Sequence, residues 1–272
     1  MSNILCYENS FIDVTINEVK VRISYILCSP PSRLKPKGTI ILLHDSFHTS
    51  HQFRHVIDIL AMGGYITIAP DLPGRLVWPQ QRADPTISLE IVAGSVVGML
   101  GAMNIQQSIH LVGDRFGAFI ASVIATLHPE LVASLILAGG TSAYGLQNAL
   151  DSTGLFIEKE CLRAPKIFRT TYSKEDVQDF AKPYRDPPLS PAMQNVYRLL
   201  ASNTVQSSAT TSTQIALPHL HLHASPEVEP EHFALSVLAQ ANQVAKQKPT
   251  PPDVYATRLN QFGVDTKFSC KI

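Results

Sequence analysis

The segment Gly113-Asp114-Arg115-Phe116-Gly117 puts small residues at both corners of a tight turn, between an apolar strand and an apolar helix. Small residues at such corners relieve crowding around the residue between them. Covalent hydrolysis from such a position needs a nucleophile, a histidine to move protons and an acid to orient the histidine. The central residue here is Arg115. A guanidinium keeps its proton, with a pKa above about 12, so it is neither nucleophile nor general base. Sliding the register to make Asp114 the nucleophile spoils the spacing of Gly113 and Gly117.

Other residues with chemical potential lie elsewhere. His44 and Asp45 follow an apolar run; His44 either braces the loop through a structural hydrogen bond or handles protons. His219, His221 and His223 alternate, so they share one face of a strand. A metal site needs convergent side chains and a third or fourth ligand from elsewhere. No other cluster is evident, so packed or hydrogen-bonded histidines are expected, with no metal and no cofactor. His223 ends its strand near the presumed pocket rim.

Positioning these residues requires a full-sized core, which 272 residues at 45% hydrophobic can supply. The 22 Lys+Arg offset 22 Asp+Glu, so no basic excess exists to bind nucleic acid. The chain is too apolar for disorder. Cys6, Cys28, Cys161 and Cys270 show no C-x-x-C spacing. That suits a reducing compartment rather than a disulfide framework or a zinc site. The N-terminus lacks a basic-then-apolar signal pattern, so a cytoplasmic protein is expected. Ile87 to Ile105 carries a single charge, Glu90, but three glycines and missing basic flanks argue against a membrane span.

Phe11–Ile16 and Val19–Cys28 read as a hairpin. Thr39–Leu43, Tyr65–Ala69, Ser108–Val112 and Leu131–Leu137 are short apolar runs suited to strands buried on both faces. Helical patterns cover Gln52–Met62, Ile87–Met103 and Phe116–Leu127. The alternation gives an α/β protein with a mostly parallel sheet, opened by an antiparallel hairpin and covered by helices on both faces. From Gly145 to Thr213 the rhythm breaks at Pro183, Pro187, Pro188 and Pro191. Strand-helix order resumes with Pro218–His223 and Glu231–Lys246, then Asp253–Phe262 and Val264–Cys270. The divisions expected are residues 1–144 and 214–272 as two parts of one core, with 145–213 as a small helical cap.

Three ordered blocks carry a resemblance. Ile41-Leu42-Leu43-His44-Asp45 resembles a strand and oxyanion loop that usually reads L-L-H-G. Gly64-Tyr65 through Ala69-Pro70-Asp71-Leu72-Pro73-Gly74 resembles the block G-Y-x-V-x-A-P-D-L-P-G. Leu111 through Ala118 supplies the frame of the nucleophile elbow, G-x-Nu-x-G. Together they resemble the α/β-hydrolase fold, most like the branch holding haloalkane dehalogenases and epoxide hydrolases. Asp71 and Gly74 are expected to shape a turn. Leu220 through Glu227 resembles L-x-L-x-G-x-x-D, which puts Glu227 at the family's acid position. The family's histidine follows the final strand, yet no His follows His232.

The resemblance therefore implies a preserved fold with a broken triad. Asp45 stands where the oxyanion loop usually has glycine, and a carboxylate there would repel a developing oxyanion. The two loops face each other in this fold, so Asp45 and Arg115 are expected to pair. Phe47, Phe116, Trp78, Tyr144, Tyr172, Tyr184 and Tyr197 fall where a crevice above the sheet would be lined, suiting an apolar ligand. The helix Ile87–Met103 is apolar nearly all round, which asks for a cover: the cap, or a second copy in a homodimer. Three functions follow. One is a non-hydrolytic catalyst (isomerase, cyclase or lyase), in a setting such as specialised-metabolite biosynthesis, with Arg115 as clamp and Asp114, Asp45 or His44 handling protons. The others are a catalytically dead binding or scaffold protein, and a hydrolase using Asp114 with His44 or His223.

Overall fold

A computed structural model describes residues 5–16, 19–45, 48–73, 89–105, 107–139, 217–224, 226 and 229–246. Seven strands form one sheet in the order β1-β2-β4-β3-β5-β6-β7. They are β1 (Leu5–Ile16), β2 (Val19–Ser29), β3 (Thr39–Leu43), β4 (Ile66–Pro70), β5 (Ile109–Asp114), β6 (Val132–Ala138) and β7 (His219–Leu222). β1 pairs antiparallel with β2, and β2 antiparallel with β4; β4, β3, β5, β6 and β7 run parallel. This is the α/β sheet that the apolar runs predict. The cap expected at 145–213, and the helix and strand expected at 253–262 and 264–270, lie outside the described residues.

Burial explains why continuous apolar runs become strands here. Every residue of β3 and β5 is buried, because helices cover both faces of the sheet. α2 (Leu89–Ala102) and α3 (Phe116–Leu127) contribute to one core cluster with Ile41, Leu43, Leu111 and Leu135. α1 (Ile57–Met62) and α4 (Pro230–Ala245) contribute to another, with Ile40, Leu42, Val112 and Ile136. The helix expected over Gln52–Met62 is split: a 3-10 turn at Ser50–Phe53 precedes α1. β1 begins six residues before the expected Phe11. Its early part is hidden from pattern reading by a register shift between Tyr7 and Ser10.

The apolar helix α2 finds its cover within the chain. Val92, Val96, Met99 and Leu100 are buried in the core. A Cβ on Gly94 would lie 3.2 Å from the Ile16 side chain, and one on Gly98 3.4 Å from Val14. The small residues thus let β1 of the opening hairpin lie against the helix. Between residues 91 and 101 the side chains of this helix are buried or half-buried within the chain. Among the described residues, no helix is long and apolar enough to cross a membrane. One cysteine departs from expectation: Cys28 is disulfide-bonded rather than reduced.

At the end of the sheet away from the elbow, a second polar group is buried. His110 Nδ1 lies 2.8 Å from Ser134 Oγ, and Tyr65 meets the imidazole edge-on at 5.5 Å. Tyr65 donates to Asn242 Oδ1 of α4 at 3.1 Å, and burial pushes its phenol pKa up. Burial also pushes His110 down from 6.5 to about 4. The folded state therefore resists a proton that the unfolded chain accepts. Stability from this residue is present above pH 6.5 and is lost as pH falls towards 4. In urea titrations between pH 7 and 4, wild type should lose about 3 kcal/mol that His110→Asn does not lose. Parallel losses in the two proteins would show that His110 carries no such penalty.

Candidate active site

The elbow is built by contacts that only glycine permits. A Cβ on Gly113 would sit 2.3 Å from the Gly117 carbonyl oxygen, and one on Gly117 2.0 Å from that of Leu43. Gly139, at φ 75°, closes the third side: a Cβ there would meet Arg115 Cγ at 2.6 Å and Asp114 Oδ1 at 2.7 Å. Between them Arg115 adopts φ 46°, ψ −103°. A non-glycine residue in the left-handed half of the map costs of order 1–3 kcal/mol and persists only when its surroundings fix it. Arg115 N–H donates to Ala138 O at 3.0 Å, and Arg115 O accepts from Phe119 N–H at 3.1 Å. The strained position is Arg115. Asp114 ends β5 opposite Ala138, so the register that would make Asp114 the elbow residue is not adopted.

Around this turn the charges converge. Arg115 Nη1 lies 3.4 Å from Asp45 Oδ2 and 3.8 Å from Asp114 Oδ2. Asp45 Oδ1 accepts from the backbone N–H of Phe116 at 3.2 Å. That N–H, from the residue after the elbow centre, is the donor an acyl-transfer enzyme aims at its oxyanion. Asp45 thus does more than repel an oxyanion; it takes up one of the donors. The guanidinium is half-exposed while the two carboxylates are 8% and 2% exposed, so Arg115 bridges a buried acidic pair to the surface.

Gln52 holds that pair together, and sequence reading missed it. Its Oε1 accepts from Asp45 N–H at 3.0 Å, and its Nε2 donates to Asp114 Oδ2 at 2.8 Å. His48, also missed, is buried with Nδ1 3.8 Å from Asp45 Oδ2. Its position follows from a turn in which His48 N–H donates to Asp45 O at 2.9 Å. A signal for His48 existed in its three-residue spacing from Asp45. None existed for Gln52, whose two partners are seven and sixty-two positions away.

His44 is a brace. Leu72 N–H donates to Nε2 at 2.9 Å, which leaves the ring proton on Nδ1 for Asp45 O at 2.6 Å. With both nitrogens committed to backbone, the proton-handling role expected as one option gives way to the structural one. Asp71 has the turn-shaping role expected of it: it accepts from Ser50 N–H at 2.7 Å and from the Ser24 hydroxyl. The Phe116 ring packs into the core instead of lining a crevice; its backbone N–H is what reaches the site. His223 is exposed just beyond β7 and makes no hydrogen bond or ion pair with Asp45, Asp114 or Arg115. His219 and His221 pack edge-on at 5.6 Å, and the described residues contain no cluster able to hold a metal. Glu227, Phe47, Trp78, Tyr144, Tyr172, Tyr184, Tyr197 and Gly74 lie outside the described residues.

The geometry sets the energetics of the Asp45–Arg115 pair. One partner is half in water and the contact is 3.4 Å, so a coupling of roughly 1 kcal/mol is expected in a double-mutant cycle. Asp45→Ala alone should cost more than Arg115→Ala alone, roughly 2–3 kcal/mol, because it also strips an acceptor from the buried Phe116 N–H. Urea unfolding of the two single variants and the double variant measures both quantities. Strict additivity would mean that the pair is not coupled.

No family model matches the chain. It is 31% identical over 115 residues to epoxide hydrolase B of Mycobacterium tuberculosis (strain ATCC 25618 / H37Rv), a match covering 42% of this chain. The chain spans only about a third of that relative's length, 32%. With 2-hydroxy-6-oxononadienedioate/2-hydroxy-6-oxononatrienedioate hydrolase 1 of Dechloromonas aromatica (strain RCB), identity is 24% over 237 residues. That match covers 85% of this chain and 71% of the relative. Among solved structures, epoxide hydrolase A from Mycobacterium thermoresistibile superimposes with a TM-score of 0.64 at 13% identity, covering 85% of this chain and 97% of the other. Haloalkane dehalogenase DbeA from Bradyrhizobium elkani USDA94 gives 0.59 at 16% identity, covering 90% and 100%. The sheet order, the strained elbow and these likenesses agree: the chain has the α/β-hydrolase fold, with arginine at the elbow position.

Proposed function

We propose that this protein is a non-hydrolytic catalyst, an isomerase, cyclase or lyase, acting on an apolar small molecule that carries a carboxylate or carbonyl group. The observation that carries this reading is the Asp45 carboxylate on the Phe116 N–H, beside an elbow whose centre is Arg115. Hydrolysis through the elbow would need a nucleophile at that centre and a free donor for the oxyanion. This chain has a cation in the first place and an anion bound to the second. The curated relatives are named as hydrolases, and a shared fold does not by itself carry a shared reaction.

Arg115 in this reading clamps or polarises the anionic or carbonyl group. A guanidinium offers paired donors that suit a carboxylate, and the Dechloromonas relative is named for a dioate. Holding a flexible substrate in a folded conformation can lower a barrier by several kcal/mol without any covalent step. Asp114 and Asp45 are the groups near enough to Arg115 to take or return a proton. The strained φ of Arg115 supports a site in use, because strain of that kind is relieved cheaply by glycine once nothing depends on it. A second reading, a binding or scaffold protein without catalysis, draws support from the same Asp45 contact, since it satisfies Arg115 internally.

Product mass separates the readings. The protein is incubated with p-nitrophenyl butyrate, styrene oxide and a panel of apolar keto acids and unsaturated acids, and products are followed by mass spectrometry. The ester and epoxide should turn over no faster than in buffer. At least one acid should give a product of unchanged mass, or two fragments without added water, and Arg115→Ala should lower that rate at least tenfold. Products heavier by one water, lost in Asp114→Asn, would replace this reading with hydrolysis. Binding of the acids without conversion would favour the scaffold.

A further inference from the structure

Cys28 is wholly buried in β2, the second strand from the edge of the sheet, and is disulfide-bonded. β2 runs between β1 and β4, and in backbone register Cys28 stands opposite Thr67 on one side and Cys6 on the other. Opposed residues of an antiparallel pair have Cα atoms about 4.5–5.5 Å apart, within the span a disulfide bridges. Cys6 is the cysteine that this register delivers to Cys28.

We propose that Cys6 and Cys28 form a redox-sensitive cross-strand disulfide that fastens the start of β1 to the sheet. The register shift between Tyr7 and Ser10 separates the pairings Leu5↔Ser29, Cys6↔Cys28 and Tyr7↔Leu27 from the rest of the β1–β2 ladder. Three pairings at a strand end, cut off by a bulge, are prone to fray. A covalent bond in the middle one removes that freedom. In forming it, the two thiols give up two protons and two electrons to a small-molecule disulfide such as oxidised glutathione, which leaves as two thiols through a mixed-disulfide intermediate. A dithiol reverses the step. Because the Cys28 side chain is sealed in the core, exchange at its sulfur requires the Leu5–Tyr7 segment to lift first.

The chain's own trypsin sites make the test direct. Cleavage after Lys20, Arg22, Lys159, Arg163, Lys267 and Lys271, together with Arg33, puts the four cysteines in separate peptides: 1–20, 23–33, 160–163 and 268–271. The full chain is equilibrated with oxidised glutathione, alkylated and digested without reductant. Peptide 1–20 should be found joined to 23–33, and dithiothreitol should part them. Hydrogen exchange at Leu5–Tyr7 and Leu27–Ser29 should quicken on reduction, and Cys6→Ser should fold yet melt roughly 5–10 °C lower than the oxidised wild type. Linkage of 23–33 to 160–163 or 268–271, or a Cys28 that alkylates after oxidation, would overturn the pairing. Identical exchange in oxidised and reduced protein would overturn the fastening role.

Discussion

At the elbow, two stretches of backbone touch with nothing between them. Gly117 lies so close to the Leu43 and His44 carbonyls, and Gly113 so close to Gly117, that neither position has room for a Cβ. That contact fixes the first turn of α3 against the loop leaving β3, and with it the direction of the Phe116 N–H. Whatever residue follows His44 must then sit at the mouth of that N–H. In this chain the residue is Asp45, and its carboxylate is held there by charge and by a hydrogen bond. The donor that this turn presents is thus occupied by the chain's own carboxylate.

The charge arrangement that results is unusual in its depth. Two carboxylates approach one guanidinium, and burial makes each unshared charge costly. Gln52 eases this by donating to Asp114 while accepting from the backbone of Asp45, so a single amide ties the two acidic residues to one another. His44 performs a parallel service on the other side, pinning the loop to Leu72 with one nitrogen and to Asp45 O with the other. These supports are buried, whereas Arg115 extends half into water. The most exposed member of the site is its cation.

Away from the elbow, the sheet is secured by different means on its two faces and at its two ends. The hairpin folds back over α2, whose glycines admit Val14 and Ile16 at close range, so a helix with no polar side is absorbed into the core. The far end is closed by His110, Ser134, Tyr65 and Asn242, linking β5 and β6 to α4 through groups that are kept neutral by burial.

Local pattern was enough for the scaffold. Continuous apolar runs marked the parallel strands because a strand buried on both faces admits little else, and paired glycines marked the elbow because no other residue fits there. The identity of Arg115 alone removed elbow nucleophilicity, since no protein environment deprotonates a guanidinium. Pattern failed where partners are distant or signals are mixed. The early part of β1 is masked by a bulge, Gln52 acquires its role from residues brought in by β3 and β5, and no local spacing marks the disulfide at Cys28. The apolar helix illustrates the same limit, because its sequence demanded a cover without saying that the chain's own hairpin supplies it. Sequence fixes which groups exist and which conformations they tolerate; which of them meet is decided only when the sheet assembles, because hydrogen bonds and ion pairs act over a few ångströms and the chain separates their members by tens of residues.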